Sequence, residues 1–388
     1  MLLRLDPGGF RSVLPSMARW GGFLVVAGVG IGLAASMWRP IAPGELDGEW
    51  KLARTILSGG GGGGYGLQGA ANAYPLPSEL LFLPIGLLGG DMVGIVGRAL
   101  SFLLIGLALW LWRGETKGPI LPALISLPAI QAVLSDHLMS AFGLLALSLA
   151  VWARGRQRWM LCGAALALGG GRIANAFPVA VVLLLAGRRG WSWSRVARIF
   201  VGGLIVTLPL TTAAFLLDPG WPRQYLANLA AYGSAGLVQV MLLRFGILGG
   251  ASLVVGIAII GTAAAWRRGT DGMSIALALS VLSAPMQGPY AAIFALPAQV
   301  RLGGRPGYIT AAYLGSVSLW LAFILATQFN EVVLLSGAGL WLLVAAYPLI
   351  RKRVGRINVP TAVFGRTDEE ESKGGRRTDP AALNAHDE

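Results

Sequence analysis

Apolar runs long enough to cross about 30 Å of hydrocarbon recur along this chain from residue 20 to residue 350, and that repetition constrains its fold more than any other feature. A water-soluble core could not enclose them: 55% of the 388 residues are hydrophobic, only 13% are charged, and the mean hydropathy is +0.66. The number of runs excludes a soluble enzyme with one anchor. Their texture excludes a β-barrel, since stretches such as Phe142 to Val151 do not alternate apolar with polar residues. The fold class that remains is an all-α polytopic integral membrane protein.

The net charge of +13 would suggest nucleic acid in a soluble protein, but here the basic residues sit in short loops between apolar runs, where they orient a chain in a bilayer. No nucleic-acid partner is expected. The one cysteine, Cys162, allows no internal disulfide and no cysteine-based metal site. Placing every arginine cluster on the cytoplasmic side predicts 12 crossings, near 20–37, 97–112, 118–134, 138–153, 159–171, 174–187, 197–217, 246–266, 272–287, 290–300, 308–327 and 331–350. Both termini are then cytoplasmic. This arrangement leaves outside seven of the 31 Lys and Arg (Arg39, Lys51, Arg54, Arg98, Arg172, Arg223 and Arg244) against eight of the 18 acidic residues. Leu80 to Leu88 is apolar but too short to cross, and it reads as re-entrant or interfacial. The domain plan is a cytoplasmic N-terminus at 1–19, a membrane domain at 20–350 with outer loops 39–78 and 218–245, and a charged, disordered cytoplasmic tail at 351–388. No internal repeat is visible, which weighs against a transporter built from repeated halves.

Candidate chemistry collects on the predicted outer side. Glu45, Asp47 and Glu49 open the first outer loop, and a carboxylate at membrane level is what an enzyme acting on a lipid-borne substrate needs to accept a proton from an attacking hydroxyl. The plainer reading is a solvated acidic loop. The six glycines from Gly59 to Gly64 lack a following Gly-Lys-Ser/Thr and read as a flexible linker rather than a phosphate loop. Asp136 and His137 fall on the same predicted side, although an Asp-His pair at a helix start is also a common cap. Arg172 interrupts GGGRIANAFPV between two apolar runs, where a guanidinium needs an anionic partner. Asp136, another carboxylate and a substrate phosphate all fit that role.

These pieces in this order resemble the GT-C glycosyltransferases of glycosyltransferase family 87, the polyprenyl-phosphate-mannose-dependent α-mannosyltransferases and their uncharacterised relatives. The matching residues in the first loop are Glu45 to Glu49, Trp50, Ala53, Ile56-Leu57-Ser58-Gly59, Tyr65, Tyr74-Pro75-Leu76-Pro77 and Leu80 to Leu88. Further on, the stretch from Ala153 through Arg172 to the Arg188-Arg189-Gly190-Trp191 loop is similar to the family's basic loop, small-residue helix and second basic loop. LSAPMQGPYAAIFALPA from Leu282 is similar to its late Ser-Pro segment. The pattern departs from the family in three places. The spacing from Gly59 puts the acidic residue at Glu45, while the usual type, Asp, is found at Asp47; Ser135-Asp136-His137 replaces the usual Gly-Gln-x-x-Asn; and the late segment lacks an aromatic-His pair.

The resemblance implies a GT-C-like bundle of about 10–12 membrane helices with a long first outer loop. It further implies a hexosyltransferase of the cell (inner) membrane whose active site faces the periplasmic side. The implied reaction moves a sugar, mannose by this likeness, from a polyprenyl-phosphate donor to an acceptor hydroxyl on a lipid or glycan, with inversion. Asp47, or Glu45, would be the base. Arg172, with Asp136 or His137, would position the departing phosphate, and Tyr74, Asn175 and Tyr290, which lie in the matched segments, join them as substrate-binding candidates. No structural metal is expected, no cofactor is assigned, and a catalytic divalent cation is left open. The competing class is a transporter or flippase for a lipid-linked or anionic substrate, which would use the same arginines.

Overall fold

A computed structural model of the chain describes residues 45–60, 74–113, 120–185, 192–231, 259–266, 269–280 and 293–303, with a few isolated positions besides. The chain divides into two compact units, Met1–Tyr347 and Pro348–Glu388, and every described residue belongs to the first. The described residues hold helices and turns and no strand. The crossings expected at 20–37, 308–327 and 331–350, most of 246–266, and the tail from 351 lie outside them.

Among the described residues, three helices are long and apolar enough to cross a membrane: α3 (Gly90–Arg113), α6 (Leu138–Gly155) and α9 (Trp193–Leu217). Between them run shorter pieces, and the reasons for their shortness are local. Where one crossing was expected at 118–134, the chain forms α4 (Leu121–Leu124) and α5 (Leu127–Leu134), parted at Ser126. Each carries a proline in its first turn, Pro122 and Pro128, where a missing N–H costs no helical hydrogen bond, whereas a helix running on through Pro128 would lose one and clash with the preceding turn. Helix α7 (Trp159–Leu168) tightens into a 3-10 turn, Gly169–Arg172, where three successive glycines weaken the α-helix. Helix α8 (Ile173–Leu185) follows directly.

The core is one apolar cluster to which α3, α6, α8, α11 (Thr270–Ser280) and α12 (Leu296–Gly303) contribute residues such as Leu109, Leu144, Val182, Leu277 and Leu296. Helix α9 stands beside it. Beyond its first two turns its exposed side chains include Phe200, Ile205, Leu208 and Leu216, the texture of a helix that meets hydrocarbon or another apolar helix. Its other side packs on α7 through Gly163, Gly202 and Gly203: a β-carbon at Gly163 would overlap the Ile199 carbonyl, and one at Gly202 would overlap the Met160 carbonyl. Backbones approach this closely only where side chains are missing.

The segment expected to form the first outer loop holds α1 (Glu45–Leu57), which ends at Gly59 with φ +83, the left-handed cap that glycine adopts without penalty. Further along the chain come α2 (Leu76–Glu79) and a 3-10 helix, Leu80–Leu87. At a rise of about 1.5–2 Å per residue this unit reaches only about 20 Å, too short to cross. It packs instead against α1, with Ala53 so close to Gly86 that a β-carbon there would sit 2.8 Å from the Ala53 carbonyl carbon. Trp50 ties the far end by donating its indole N–H to the Leu88 carbonyl at 3.1 Å. The segment expected to form the second outer loop also contains a helix, α10 (Trp221–Ala231), whose Trp221 and Tyr225 pack with Leu52, Leu76 and Leu80.

Candidate functional site

Helical phase decides which carboxylate of α1 meets the rest of the protein. Leu46, Glu49, Leu52 and Ala53 recur at three- and four-residue spacing and are all buried, so they form one face. Leu46 lies in the cluster of Tyr74, Phe82, Val93, Leu138 and Met139, and Leu52 in that of Leu76 and Leu80. Glu49, 2% exposed, therefore sits between two apolar contacts on the inward face. Asp47 is turned away. Its carboxylate accepts from Lys51 Nζ at 2.7 Å in a surface pair one turn along the same helix. Glu45 begins the helix.

A second acidic residue, unanticipated from sequence, is buried close by in the chain: Glu79, 3% exposed, at the junction of α2 with the 3-10 helix. It is the sole charged residue between Arg54 and Asp91. An ionisable group inside an apolar segment is the signal that would have found it.

Asp136 is buried, and Arg98 holds it. The guanidinium donates from Nε to Oδ1 at 2.8 Å and from Nη2 to Oδ2 at 3.1 Å, a two-pronged pair between residues 38 positions apart. Asp136 reaches it from a left-handed backbone, φ 58, which aspartate tolerates better than most side chains. The capping role weighed for this residue falls to its neighbour: His137 occupies the N-cap of α6 and makes no side-chain cap bond, while its backbone N–H donates to the Ala132 carbonyl at 2.9 Å. Arg98 had been placed near the interface because the crossing was expected to begin at residue 97. The helix begins at Gly90, which puts Arg98 about two turns inside it.

Arg172 closes the glycine turn over Tyr74, its guanidinium carbon 5.0 Å from the ring centroid. Nη2 donates to the Ser140 hydroxyl, four residues beyond Asp136 and on the first turn of α6. Gly171 brings Ser78 to the same place, since a β-carbon there would lie 3.2 Å from Ser78 Cβ. Arg98 takes both oxygens of Asp136, and Arg172 reaches the Ser140 hydroxyl and the Tyr74 ring.

Tyr74, Ser78, Ser140 and Arg172 are therefore brought together, with the Arg98–Asp136 pair at the base of the same helix and α1 packed alongside. Asn175 is not part of this group. Its amide nitrogen donates to the backbone and hydroxyl oxygens of Ser280, each at 3.2 Å, and so ties α8 to α11. Tyr290 lies outside the described residues. In α10, burial pushes the Tyr225 phenol above its ordinary pKa, so it stays a neutral donor at physiological pH. Among the described residues no three His, Cys, Asp or Glu side chains cluster as metal ligands would.

The arrangement joins a buried carboxylate face, a stacked arginine and two hydroxyls. Chemically it can accept a proton on one side and bind a planar or tetrahedral oxyanion on the other. No family model matches the chain, and no curated protein matches its sequence.

Proposed function

We propose that the chain is a multi-pass membrane hexosyltransferase of the GT-C type. It moves a sugar, mannose foremost, from a polyprenyl-phosphate donor to an acceptor hydroxyl on a lipid or glycan at the outer face of the inner membrane. The observation that carries the reading is the approach of Arg172 to Tyr74 and Ser140 beside the buried face of α1. Phosphate would bind the Arg172 guanidinium through its fork of donors, and Ser140 and Ser78 would supply hydroxyls. A carboxylate of α1 would take the acceptor's proton. The acceptor oxygen then bonds to the anomeric carbon, the carbon–oxygen bond to phosphate breaks from the opposite face, and the electron pair leaves on the polyprenyl phosphate.

Asp47, Glu45 and Glu49 compete for the role of base. Helical phase favours Glu49, because Asp47 already serves Lys51 on the exposed side. The pairing of Arg98 with Asp136 makes these two a scaffold that sets the start of α6, and with it Ser140, rather than a phosphate clamp.

The test is transfer of labelled mannose from polyprenyl-phosphate mannose to endogenous acceptors in membranes carrying the wild type, Glu45→Gln, Asp47→Asn or Glu49→Gln. Glu49→Gln is expected to lower transfer about 10²–10⁴-fold, with Asp47→Asn close to wild type. Loss in Asp47→Asn alone would return the base to that residue. Full activity in all three variants would remove the carboxylate mechanism. No transfer by the wild type would turn attention to another donor sugar or to a transporter of a lipid-linked anion.

A further inference from the structure

From His137 to Leu217 the chain carries eight arginines and not one acidic residue. Arg172 belongs to the site above, and four of the other seven gather where α6 ends, α7 begins and α9 begins. The turn that joins α6 to α7 is tight: Gln157 is left-handed at φ 59, and the Arg158 N–H donates to the Ala153 carbonyl at 2.9 Å. That turn throws Arg156 and Arg158 onto the same indole, with their guanidinium carbons 4.2 and 5.6 Å from the Trp152 ring centroid. From α9, Arg195 lies over Trp159 at 4.6 Å. Trp193, at the first position of α9, is 76% exposed.

Orienting a helix in a bilayer requires positive charge and nothing more. Here three guanidinium groups also lie over aromatic rings, two at one turn and one at the helix start packed beside it. An anion with several acceptor oxygens can take donors from more than one of them. Exposed tryptophan at the same level marks a surface that meets the headgroup layer.

We infer that the Trp152–Arg156–Arg158 turn and the Trp159–Arg195 contact form a docking surface for the phosphate headgroups of anionic membrane lipids. It is separate from the Arg172 site, and it rests on the membrane part of the reading above but not on glycosyl transfer. The bound phosphodiester would bridge α7 and α9, the helices that meet through glycine, and hold them from outside.

Extraction at alkaline carbonate comes first, because a chain released from the membrane by it would end the membrane reading itself. The purified full chain in detergent is then titrated with phosphatidylglycerol or phosphatidylcholine, and bound lipid is counted by native mass spectrometry. The wild type is expected to prefer phosphatidylglycerol. The Arg156→Gln/Arg158→Gln/Arg195→Gln variant should bind it roughly 100-fold more weakly, at about 1 kcal/mol for each charge near the surface. Arg223→Gln, in α10, should bind as the wild type does. If the triple variant loses its helical circular dichroism, the single variants Arg156→Gln and Arg158→Gln replace it, each with an expected drop of about fivefold. Unchanged binding in the variants would overturn the inference. So would equal binding of the two lipids, or displacement by inorganic phosphate at the lipid's own concentration, which would mark a site for free anions.

Discussion

Helices α7 and α9 meet through Gly163, Gly202 and Gly203, with no charged group between the backbones, whereas α3 and the α5–α6 turn meet through Arg98 and Asp136, both nearly fully buried. The first contact derives its strength from atoms brought close over a stretch of backbone. The second depends on two ions, each of which is costly in isolation. Removing a side chain's charge is therefore harmful at one place, and adding a single carbon is harmful at the other. The polar contact also sits beside Ser140 and Arg172, so the part of the molecule that tolerates charge is the part proposed to handle a charged substrate.

Five substitutions break or sharpen this contrast. Arg98→Gln leaves the Asp136 carboxylate buried without its partner and is expected to cost about 3–5 kcal/mol, read as a drop in thermal unfolding temperature in detergent. The double variant Arg98→Gln/Asp136→Asn should cost less than the sum of the singles; strict additivity would mean that the pair is not energetically coupled. Gly202→Ala, measured in the same way, should cost about 1–3 kcal/mol, because its new carbon meets the Met160 carbonyl rather than a flexible side chain. Asn175→Ala removes the donor between α8 and α11 and is expected to cost about 1 kcal/mol, with labelled-sugar transfer falling only as far as folded protein does. A specific loss of transfer would restore Asn175 to the substrate site. Asp47→Asn should change stability by less than about 0.5 kcal/mol, since its pair with Lys51 is exposed and local.

Much of the helical plan could be read in the sequence, and the exceptions have physical causes. The end of α6 and the start of α7 were legible because arginines crowd a short polar turn between apolar runs. The break at Ser126 was missed although Pro122 and Pro128 announced it, since hydropathy averages over a proline while the backbone cannot. The start of α3 was expected at 97 and lies seven residues earlier, at Gly90. That one displacement left Arg98 among the outside residues and hid the partner of Asp136.

In the candidate site, Tyr74 and Arg172 were named from separate segments, and they are in contact. The carboxylates were weighed by residue type and by distance from Gly59. Helical phase, which Leu46, Leu52 and Ala53 already displayed, points to Glu49 as the one that faces inward. Ser78 and Ser140 carried no such signal. Serines in apolar helices are common, and only the fold shows which of them an arginine reaches.

The 38 residues between Arg98 and Asp136 also have a meaning in time. A ribosome adds about 5–20 residues each second, so Arg98 emerges some seconds before the carboxylate that will neutralise it. During that interval α3 is a poor candidate for hydrocarbon, because a lone arginine well inside a helix opposes insertion by a few kcal/mol. In a chain that enters the bilayer as it is made, α3 is therefore held at the translocon until α4, α5 and the Asp136 turn have followed, and the four elements go in as a single hairpin.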